Sequence, residues 1–584
     1  MLLTKRALCA ADATATALLN CLVREVCAPD RQVWPDGGRL VVRLPRAGVL
    51  LRAGLARPPA GPTWRLTPPY EERRGDGGWI AAGWDRLADL VAGELELATG
   101  RANPEFLAQV GDSHAALVAI LRARDAHDAD DADDADDADG PDGGDGSPST
   151  PGARAGQRAR EPEAGLPERI GRYVESEQAM VAGHRFHPSP KARQGDVARW
   201  LPYAPEARAR FRPHWLAVRE ELLAEEGDAE AFASLERLGP RVPAGHRLLP
   251  AHPWQLSLLD DRPVLRRALG EGLVQDLGPS GPEVVATSSV RTVYVPAADV
   301  FCKFSLDVRI TNCVRKNAWY ELSGAVVLNR LLGPVFAALG KRFDGCVLLG
   351  EPAYRSVALA DPRLFEGLGV ILRQGVGGLS GTPLLAGALA DPYGTVLSGL
   401  PALATPDGAL AWWDAYVARV APPVLHAYLD HGVILEPHLQ NVLVSVDADG
   451  MPIRAVFRDL EGTKLASGRW DEATAGLPSR VREALTYEPG RGWNRVVYCL
   501  LVNHLAEIAA AVADLHPELD GDLWPTARRH FASASDRPEM RALLAGVPIP
   551  AKANLRARWG RTADREAVYV QVANPLAPST PFPG

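Results

Sequence analysis

Two neighbouring stretches in the last third of the chain, ILEPHLQNVLVSVD (434–447) and PIRAVFRDLEG (452–462), decide what fold and site this sequence can form. Their β-branched and apolar residues predict two strands. Side chains of an extended chain alternate between faces, so Glu436, His438 and Gln440 share one face of the first strand. A carboxylate, an imidazole and an amide are poor material for a core. We therefore expect this face to look into a functional site.

The polar residues that end these strands are candidate metal ligands. Asn441 follows His438 by three positions, and the second strand ends in Asp459 and Glu461. Protein kinases hold Mg²⁺ on ATP phosphates with an Asn and a following Asp, and hard oxygen ligands suit Mg²⁺. By this logic Asn441, Asp459 and Glu461 would hold a nucleotide-bound metal. His438 and Gln440 would then meet the substrate, while a capped turn with a structural histidine is the simpler alternative.

A second cluster, rich in cations and hydroxyls, lies upstream in TSSVRTVYV (287–295) and KFSLDVRITNCVR (303–315). It contains Ser288, Ser289, Arg291, Thr292, Lys303, Arg309, Thr311, Asn312 and Arg315. In an extended strand one face would carry Lys303, Ser305, Asp307 and Arg309. Cations mixed with hydroxyls suit a phosphate chain or a polycarboxylate, because Lys offers a point charge and Arg a planar fork. The alternative is a solvated strand face.

Two histidine-containing stretches are weaker signals. GHRFHPSPKARQG (183–195) carries His184, His187, Lys191 and Arg193, and HPWQ (252–255) carries His252. Histidine beside proline is often only a structural turn, and no third zinc ligand has suitable spacing. The sequence also lacks a Gly-x-x-x-x-Gly-Lys-Ser/Thr loop and a Gly-x-Ser-x-Gly elbow.

Length, charge and cysteine usage restrict the class of protein. The 584 residues suggest about three to four domains or one large multi-lobed unit. The net charge is −8, but residues 125–145 hold eleven Asp and no Lys or Arg, which leaves the rest near +3. No global basic field suggests nucleic acid, and no uninterrupted run of about 18 apolar residues predicts a membrane span. The seven Cys form no CxxC pair, so we expect free thiols and a cytoplasmic protein.

The patterns predict a mixed α+β fold in four parts. Helical spacing dominates residues 1–124, with one strand at RLVVRL (39–44). The Asp-, Gly- and Pro-rich residues 125–165 predict a disordered insertion or linker. Further strands are predicted at 282–295, 300–311, 345–357 and 368–376, and helices at 320–343, 410–432 and 493–515. The rest of the chain is predicted to form two further parts, residues 166–400 and residues 401–584.

Taken together, the clusters resemble the synthetases that make siderophores without a nonribosomal peptide template, of the aerobactin-synthetase type. The matching pieces are GHRFHPSPKARQG, HPWQ, TSSVRT, KFSLDVRITNCVR, EPHLQNVLV and FRDLEG, between about residue 180 and AKANLRARW at 551–559. The resemblance implies a cupped hand of thumb (1–124), fingers (166–400) and palm (401–584), with a distantly kinase-like palm. It also implies cofactors ATP and Mg²⁺, adenylation of citrate or a related acid, and condensation with an amine or hydroxyl. It further suggests a homodimer.

The resemblance also assigns roles to individual positions. The nucleotide would contact His184, Ser289, Arg291, Thr292, Lys303, Arg315, Gln440, Asn441 and Asp459. The family has Gly-His-Pro where this chain has Gly-His-Arg at 183–185. The acid would contact Thr311, Asn312, Arg315, Glu436, His438 and Gln440. Metal ligands would be Asn441, Asp459 and Glu461, and catalysis would rest on Lys303, Arg315, Glu436 and His438.

Two other functions fit parts of the pattern. A small-molecule kinase would share the Asn and Asp of a kinase-like palm, but would transfer the γ-phosphoryl group and yield ADP. A cytosolic ferric-siderophore-binding protein or reductase would use the cations for an anionic chelate. The lack of a Cys cluster disfavours the reductase, and Asp459 with Glu461 disfavours a plain anion binder.

Overall fold

The computed structural model describes residues 8–59, 61–138, 166–310, 313–562 and 568–578. Within these ranges the side chains of residues 130–138, 309–310 and 313–315 lie outside the description. Helices and sheets are intermixed along the whole described chain, which confirms the predicted α+β class.

The amino-terminal part contains a five-stranded antiparallel sheet that the sequence indicated only in part. Its strands, in order, are Val33–Asp36, Arg39–Leu44, Val49–Leu55, Leu66–Arg74 and Ile80–Ala81. Only the second was predicted; the third, VLLRAGL, has an equally apolar pattern and was missed, whereas the others are short or carry many polar residues. The sheet packs on helices Ala10–Leu22, Trp84–Thr99 and Pro104–Ala138. The first helix continues as a π-helical turn, Val23–Cys27.

The third of these helices crosses a predicted boundary. Residues 125–138, assigned from sequence to a disordered linker, continue the helix that begins at Pro104. Alanine recurs within this Asp-rich segment, and alanine has the highest helix propensity. Asp128 also pairs with Arg208 across the chain. Residues 139–165 of the predicted linker lie outside the described residues.

A seven-stranded antiparallel sheet forms the centre of the molecule. Its order is Arg210–Phe211, Val284–Ala286, Thr292–Val295, Val300–Phe304, Val370–Gln374, Ala353–Val357 and Leu223–Gly227. Alternate residues feed two cores, since Val293 and Cys302 pack on one side while Tyr294 and Phe301 pack on the other. Helix Glu168–Gln178 covers the second side. The strands of this sheet carry Lys303 and Arg373.

Smaller elements extend the central platform. A three-stranded sheet consists of Val274–Pro279, His214–Arg219 and His246–Ala251, and Leu306–Ile310 pairs with Cys313–Arg315. The helices here are Val197–Trp200, Ala229–Glu236, Pro253–Leu259, Pro263–Gly270, Trp319–Arg342, Pro362–Gly367 and Ala386–Ala390. The long helix from Trp319 matches the one predicted at 320–343.

The carboxyl-terminal part joins two small sheets to long buried helices. One sheet orders Val347–Leu348, Pro452–Phe457, Val442–Val446 and Thr382–Leu385, and the other Val433–Ile434, Lys464–Ala466 and Thr486–Tyr487. Ile549–Lys552 pairs with Tyr569–Val572. The helices are Pro406–Leu429, Asp471–Thr474, Ser479–Leu485, Pro489–Val497, Ala506–Leu515, Asp520–Ala532, Pro538–Leu544 and Asn554–Gly560. A π-helical segment, Tyr498–Leu505, joins the fourth and fifth of them.

Four predicted strands are each broken into two. Residues 282–295 form a hairpin whose turn is TSSVR, with Val290 at a φ of +65°. Residues 300–311 and 345–357 each contribute strands to two different sheets. The segment 434–447 is broken at Pro437, which has no N–H for a strand ladder, and by a turn in which the Asn441 N–H bonds to His438 O. Period-two patterns continue through such breaks, so the sequence alone did not reveal them.

Two helical stretches of the described chain are long and apolar enough to cross a membrane, Trp319–Arg342 and Pro489–Leu515. The apolar window of the second is wholly buried in the protein and that of the first is 56% buried. Both belong to the largest hydrophobic core, so each is explained as a core helix.

Candidate active site

A compact cluster of opposite charges lies at one end of the central sheet. Lys303 Nζ lies 2.6 Å from Asp459 Oδ1 and 3.0 Å from Glu461 Oε2. Arg291 Nη2 donates to the same Glu461 oxygen at 2.6 Å. Two of these four residues come from each of the two clusters, and Lys303 and Asp459 are 156 positions apart in the sequence. The structure thus brings together the cationic and acidic motifs predicted to share a site.

Strand register explains why the cations converge. Thr292 pairs with Lys303 across neighbouring strands, and Phe301, two residues before Lys303, lies opposite Arg373 on the next strand. Lys303 and Arg373 therefore project from the same face of the sheet. Arg373 Nη2 lies 3.8 Å from Asp459 Oδ1 and 2.5 Å from Glu351 Oε1. Arg373 and Glu351 were not selected from sequence.

The acidic residues reach this face from the end of a hairpin. Val442 pairs with Phe457, and the Arg458 N–H bonds to Asn441 O just beyond that pair. Asn441 and Asp459 thus lie at the same end of the hairpin. Asp459 adopts a φ of +77°, a conformation that Asp tolerates better than most residues. This turn directs the acidic pair toward Lys303.

The cations of this cluster are buried, whereas its carboxylates are partly exposed to solvent. The side chains of Lys303 and Arg291 are 1% and 5% exposed, whereas those of Asp459 and Glu461 are 30% and 28% exposed. Burial opposes ionisation of Glu461, but Arg291 and Lys303 outweigh it and lower its pKa to about 2. Burial likewise opposes ionisation of Asp459, and Lys303 with Arg373 holds its pKa well below the usual range. All four groups are charged at neutral pH.

Neutral and hydroxyl groups complete the floor of the cluster. Arg291 Nη1 donates to Asn317 Oδ1 at 2.5 Å, and Asn317 is fully buried. Ser289 Oγ lies 2.9 Å from Thr292 Oγ1 in the hairpin turn. Asn317 lies beside the predicted motif but was not chosen, because an Asn in a loop gives no signal of its own.

The same turn is tied to the Gln440 segment. Gln440 Nε2 donates to Ser288 O at 3.0 Å, and Ser288 Oγ donates to Glu177 Oε2 at 2.8 Å. Arg458 forms an ion pair with Glu177 and donates to Gln440 O at 2.8 and 3.0 Å. Burial opposes ionisation of Glu177, but Arg458 outweighs it and lowers its pKa. Gln440 is therefore positioned beside the Ser288–Ser289 turn, as the sequence predicted for a shared site.

Glu436 and His438 lie near the same cluster, close enough for the charge of Asp459 to act on His438. Glu436 is paired with Arg495, whose Nε donates to Glu436 Oε1 at 2.5 Å. Burial lowers the pKa of His438, and the neighbouring charges of Glu436 and Asp459 oppose that shift. His438 is therefore a neutral base next to the acidic pair. Arg495 was missed from sequence, because an Arg within a predicted helix gives no signal of its own.

His184 approaches the same region from a loop. Its Nδ1 accepts from the Phe186 N–H at 3.0 Å, and its Nε2 lies 3.0 Å from Asn503 Nδ2. Burial lowers the pKa of His184 to about 3, helped by the nearby charge of Arg24. His184 is thus a neutral imidazole linked through Asn503 to the segment that carries His438.

Other predicted residues divide into three groups. Thr311 and Asn312 lie outside the described residues, and the side chain of Arg315 is likewise outside them. The proposed common face of Lys303, Ser305, Asp307 and Arg309 is wrong, because the strand breaks at Ser305, whose Oγ donates to Glu366 O. Lys191 and Arg193 bind the buried Glu206, and His252 caps a helix by accepting from the Trp254 N–H.

The predicted metal ligands fit a hard cation by chemistry. Asp459 and Glu461 converge on one point, the Lys303 ammonium, and Asn441 lies at the same hairpin end. These are oxygen donors, as Mg²⁺ prefers. Among the described residues no group of three or more His, Cys, Asp or Glu side chains forms a metal-binding cluster. A cation here would therefore share its ligands with a phosphate-bearing substrate.

Buried cations beside partly exposed carboxylates on an α+β fold form the candidate site. A family model described as IucA / IucC family matches residues 172–391, and one described as ferric iron reductase FhuF-like transporter matches residues 410–567. Rhizobactin siderophore biosynthesis protein RhbC of Rhizobium meliloti is 30% identical over 453 residues, covering 69% of this chain and 75% of that protein. L-2,3-diaminopropanoate–citrate ligase of Staphylococcus aureus is 28% identical over 437 residues, with the same coverage.

Solved structures agree with this assignment of the fold. ATP-bound aerobactin synthetase IucA from a hypervirulent pathotype of Klebsiella pneumoniae superposes with a TM-score of 0.80 at 22% identity, covering 97% of this chain and 100% of that one. Petrobactin biosynthesis protein AsbB of Bacillus anthracis gives 0.70 at 16% identity, covering 97% and 95%. This chain belongs to the IucA/IucC family, which confirms the resemblance found from its motifs.

Proposed function

We propose that this chain is an ATP-dependent siderophore synthetase that adenylates citrate or a citrate-derived acid and condenses it with an amine or hydroxyl. The observation that carries the proposal is the cluster of Arg291, Lys303, Asp459 and Glu461, sealed on one side and open on the other. Relatives named as a diaminopropanoate–citrate ligase and a spermidine–citrate ligase support the choice of acid and nucleophile.

In the first half-reaction a carboxylate oxygen of the acid attacks the α-phosphorus of ATP, and pyrophosphate leaves with the bonding electrons. The reaction brings two anions together, so fixed positive charge lowers its barrier. Arg291 and Lys303 supply that charge, and Ser289, Thr292, Gln440 and His184 surround the phosphates. Mg²⁺ held by Asn441, Asp459 and Glu461 would neutralise phosphate charge when bound.

In the second half-reaction the nucleophile attacks the acyl carbon and AMP leaves. An amine nucleophile must lose a proton, and the neutral His438 can accept it. Glu436, fixed by Arg495, orients the acid. Thr311, Asn312 and Arg315 complete the acid pocket in this proposal. Lys303, Arg315, Glu436 and His438 are the proposed catalytic residues.

The alternatives receive less support. A kinase would not require the adjoining Glu436–His438 face. A ferric-siderophore reductase is suggested by the match over residues 410–567, but the only cysteine in that range is Cys499, which is buried. One buried thiol cannot ligate an iron–sulfur cluster.

The test is a product assay on the purified chain. The protein is incubated with ATP, Mg²⁺ and either citrate, α-ketoglutarate or a succinyl-hydroxamate, with hydroxylamine as surrogate nucleophile. Pyrophosphate, AMP, ADP and acyl hydroxamate are quantified. We expect pyrophosphate, AMP and hydroxamate in equal amounts, dependent on citrate or a related acid. The matched control is Asp459→Asn, which keeps the shape of the side chain and removes its charge.

The other outcomes identify the competing functions. Formation of ADP would favour a kinase. Tight binding of a ferric chelate without nucleotide turnover would favour a binding protein. No product with any acid, including a mono-amide of citrate, would contradict the synthetase proposal.

A further inference from the structure

The backbone between Glu436 and Gln440 is held by side chains instead of by a sheet. The flanking strands, Val433–Ile434 and Val442–Val446, belong to different sheets, so residues 435–441 have no strand ladder in the described chain. Buried N–H and C=O groups need partners, and here two consecutive residues of one helix supply those of Pro437 O and the Leu439 N–H. Those residues are Asn503 and His504.

His504 fixes the carbonyl immediately before His438. Its Nδ1 lies 2.7 Å from Pro437 O, and its Nε2 lies 2.6 Å from the Tyr416 hydroxyl. A carbonyl can only accept, so Nδ1 carries the proton and Nε2 accepts from the hydroxyl. His504 and Tyr416 are both fully buried. The pair therefore selects one tautomer and one ring orientation.

Asn503 fixes the amide immediately after His438. Its Oδ1 accepts from the Leu439 N–H at 3.2 Å, while its Nδ2 faces His184 Nε2 at 3.0 Å. The Gly387 N–H binds Leu439 O at 3.0 Å from the other side. His438 is thus flanked by two anchored peptide groups, and the same Asn links His184 to them.

The helix that carries both residues is π-helical at this point, from Tyr498 to Leu505. π-helical turns are rare, and those that occur are often found at functional sites. This one lies in the middle of a buried helical run, Pro489 to Leu515. The helix holds the segment through side chains alone, with no contact to the substrate required.

We propose that Asn503 and His504 are positioning residues that hold Pro437 and Leu439 so that Glu436 and His438 face the acid and nucleophile. This inference rests on the proposed function for the role of Glu436 and His438. The two residues act on the segment and not on the reacting atoms. Loss of His504, whose ring contacts Pro437 and Tyr416, should therefore lower turnover more than nucleotide binding.

The test compares two variants that differ in whether a donor to Pro437 O is kept. His504→Leu removes the donor to Pro437 O, whereas His504→Asn keeps a donor near the Nδ1 position. We expect His504→Leu to lower kcat with the acid by about 100-fold, as a displacement near 1 Å would, with KM for ATP within about twofold. His504→Asn should recover kcat to within about tenfold of wild type. Equal kcat for His504→Leu and wild type, per folded protein, would overturn the proposal.

A second readout does not depend on activity. Hydrogen exchange of the peptide spanning residues 435–441 should rise in His504→Leu and in Asn503→Leu, while the strand Val300–Phe304 keeps its protection. Uniform loss of protection would indicate a general structural role and overturn the proposal. If His504→Leu does not fold, Tyr416→Phe tests the proposal instead, because it removes the hydroxyl that contacts His504 Nε2. We expect Tyr416→Phe to lower kcat about threefold with unchanged KM for ATP. Wild-type values for that variant would then overturn the proposal.

The two proposals fail in different ways. Absence of acid-dependent pyrophosphate release by the wild-type chain contradicts the proposed function. Normal turnover and unchanged exchange in His504→Leu contradict only the positioning role.

Discussion

Two buried charge clusters in this molecule use the same residue types and have different surroundings. In the first, here called the open cluster, Lys303 and Arg291 face Asp459 and Glu461, whose side chains are 30% and 28% exposed. In the second, here called the closed cluster, Lys191 and Arg193 face Glu206, and all three side chains are at most 7% exposed. A cluster whose carboxylates remain accessible can accept a ligand, whereas a closed one can only join two parts of the fold. Exposure of the acidic side thus separates the candidate site from a structural ion cluster.

The largest expected effect tests the open cluster. Lys303→Met removes the central cation, and we expect kcat for acid-dependent pyrophosphate release to fall by about 10³-fold or more. Its carboxylate partners stay hydrated, so the melting temperature should change little. The exposed Lys341→Met is the control and should keep wild-type kcat. A loss of stability that parallels the loss of activity would show that the open cluster is structural after all.

The closed cluster should respond in the opposite manner. Glu206→Gln leaves Lys191 and Arg193 buried without their counter-charge, which typically costs about 3–5 kcal/mol of unfolding free energy. Urea denaturation measures this cost, with the exposed Glu230→Gln as control. We expect kcat per folded molecule to stay within about twofold of wild type. A stable but inactive Glu206→Gln variant would remove the distinction between the two clusters.

Buried histidines extend the comparison to pH. Burial among aromatic rings lowers the pKa of His252 to about 3, well below the unfolded value of about 6.5. The unfolded state therefore binds the proton first, so stability is full above about pH 6.5 and falls as the pH drops toward 3, by up to about 1.4 kcal/mol per pH unit. His252→Asn keeps a helix-capping oxygen and should reduce this slope. Melting temperatures at pH 7, 6 and 5 measure it, and an unchanged slope would contradict the prediction.

The smallest expected effect concerns the fit of Glu436. A Cβ on Gly462 would lie 2.6 Å from Glu436 Oε2, so Gly462→Ala must displace that carboxylate. We expect kcat/KM for the acid to fall about tenfold, with KM for ATP unchanged. Gly476→Ala is the matched control, because its Cβ would meet no atom within 4 Å. Equal effects in the two variants would indicate that Glu436 has no role in binding the acid.

Much of the open cluster could be predicted from sequence. Lys303, Arg291, Asp459 and Glu461 stand out because charged residues interrupt apolar strands in dense groups. The family resemblance predicts that these four residues lie close together. Their spacing in the sequence does not, since strand pairing decides which residues converge. The long helices were predictable for a different reason, namely that their apolar periodicity extends over many turns.

The supporting residues could not be predicted. Arg373, Glu351 and Arg495 lie outside the polar motifs that stand out in the sequence, so only their packing reveals a role. His504 resembles any core histidine of an apolar helix. The breaks within the predicted strands were missed for a related reason, because a Ser or Pro at the break changes backbone hydrogen bonding without changing the apolar pattern.

The open cluster has a consequence for how the chain is made. Lys303 meets a carboxylate 156 positions later, and Arg291 meets one 170 positions later. At a synthesis rate of about 5–20 residues per second, the cations leave the ribosome roughly 10–30 s before their partners. The last strand of the central sheet to be made, Val370–Gln374, precedes Asp459 by about 85 positions, so the complete sheet can form roughly 4–17 s before its counter-charges. Until then the cationic face of the sheet lacks the carboxylates that neutralise it.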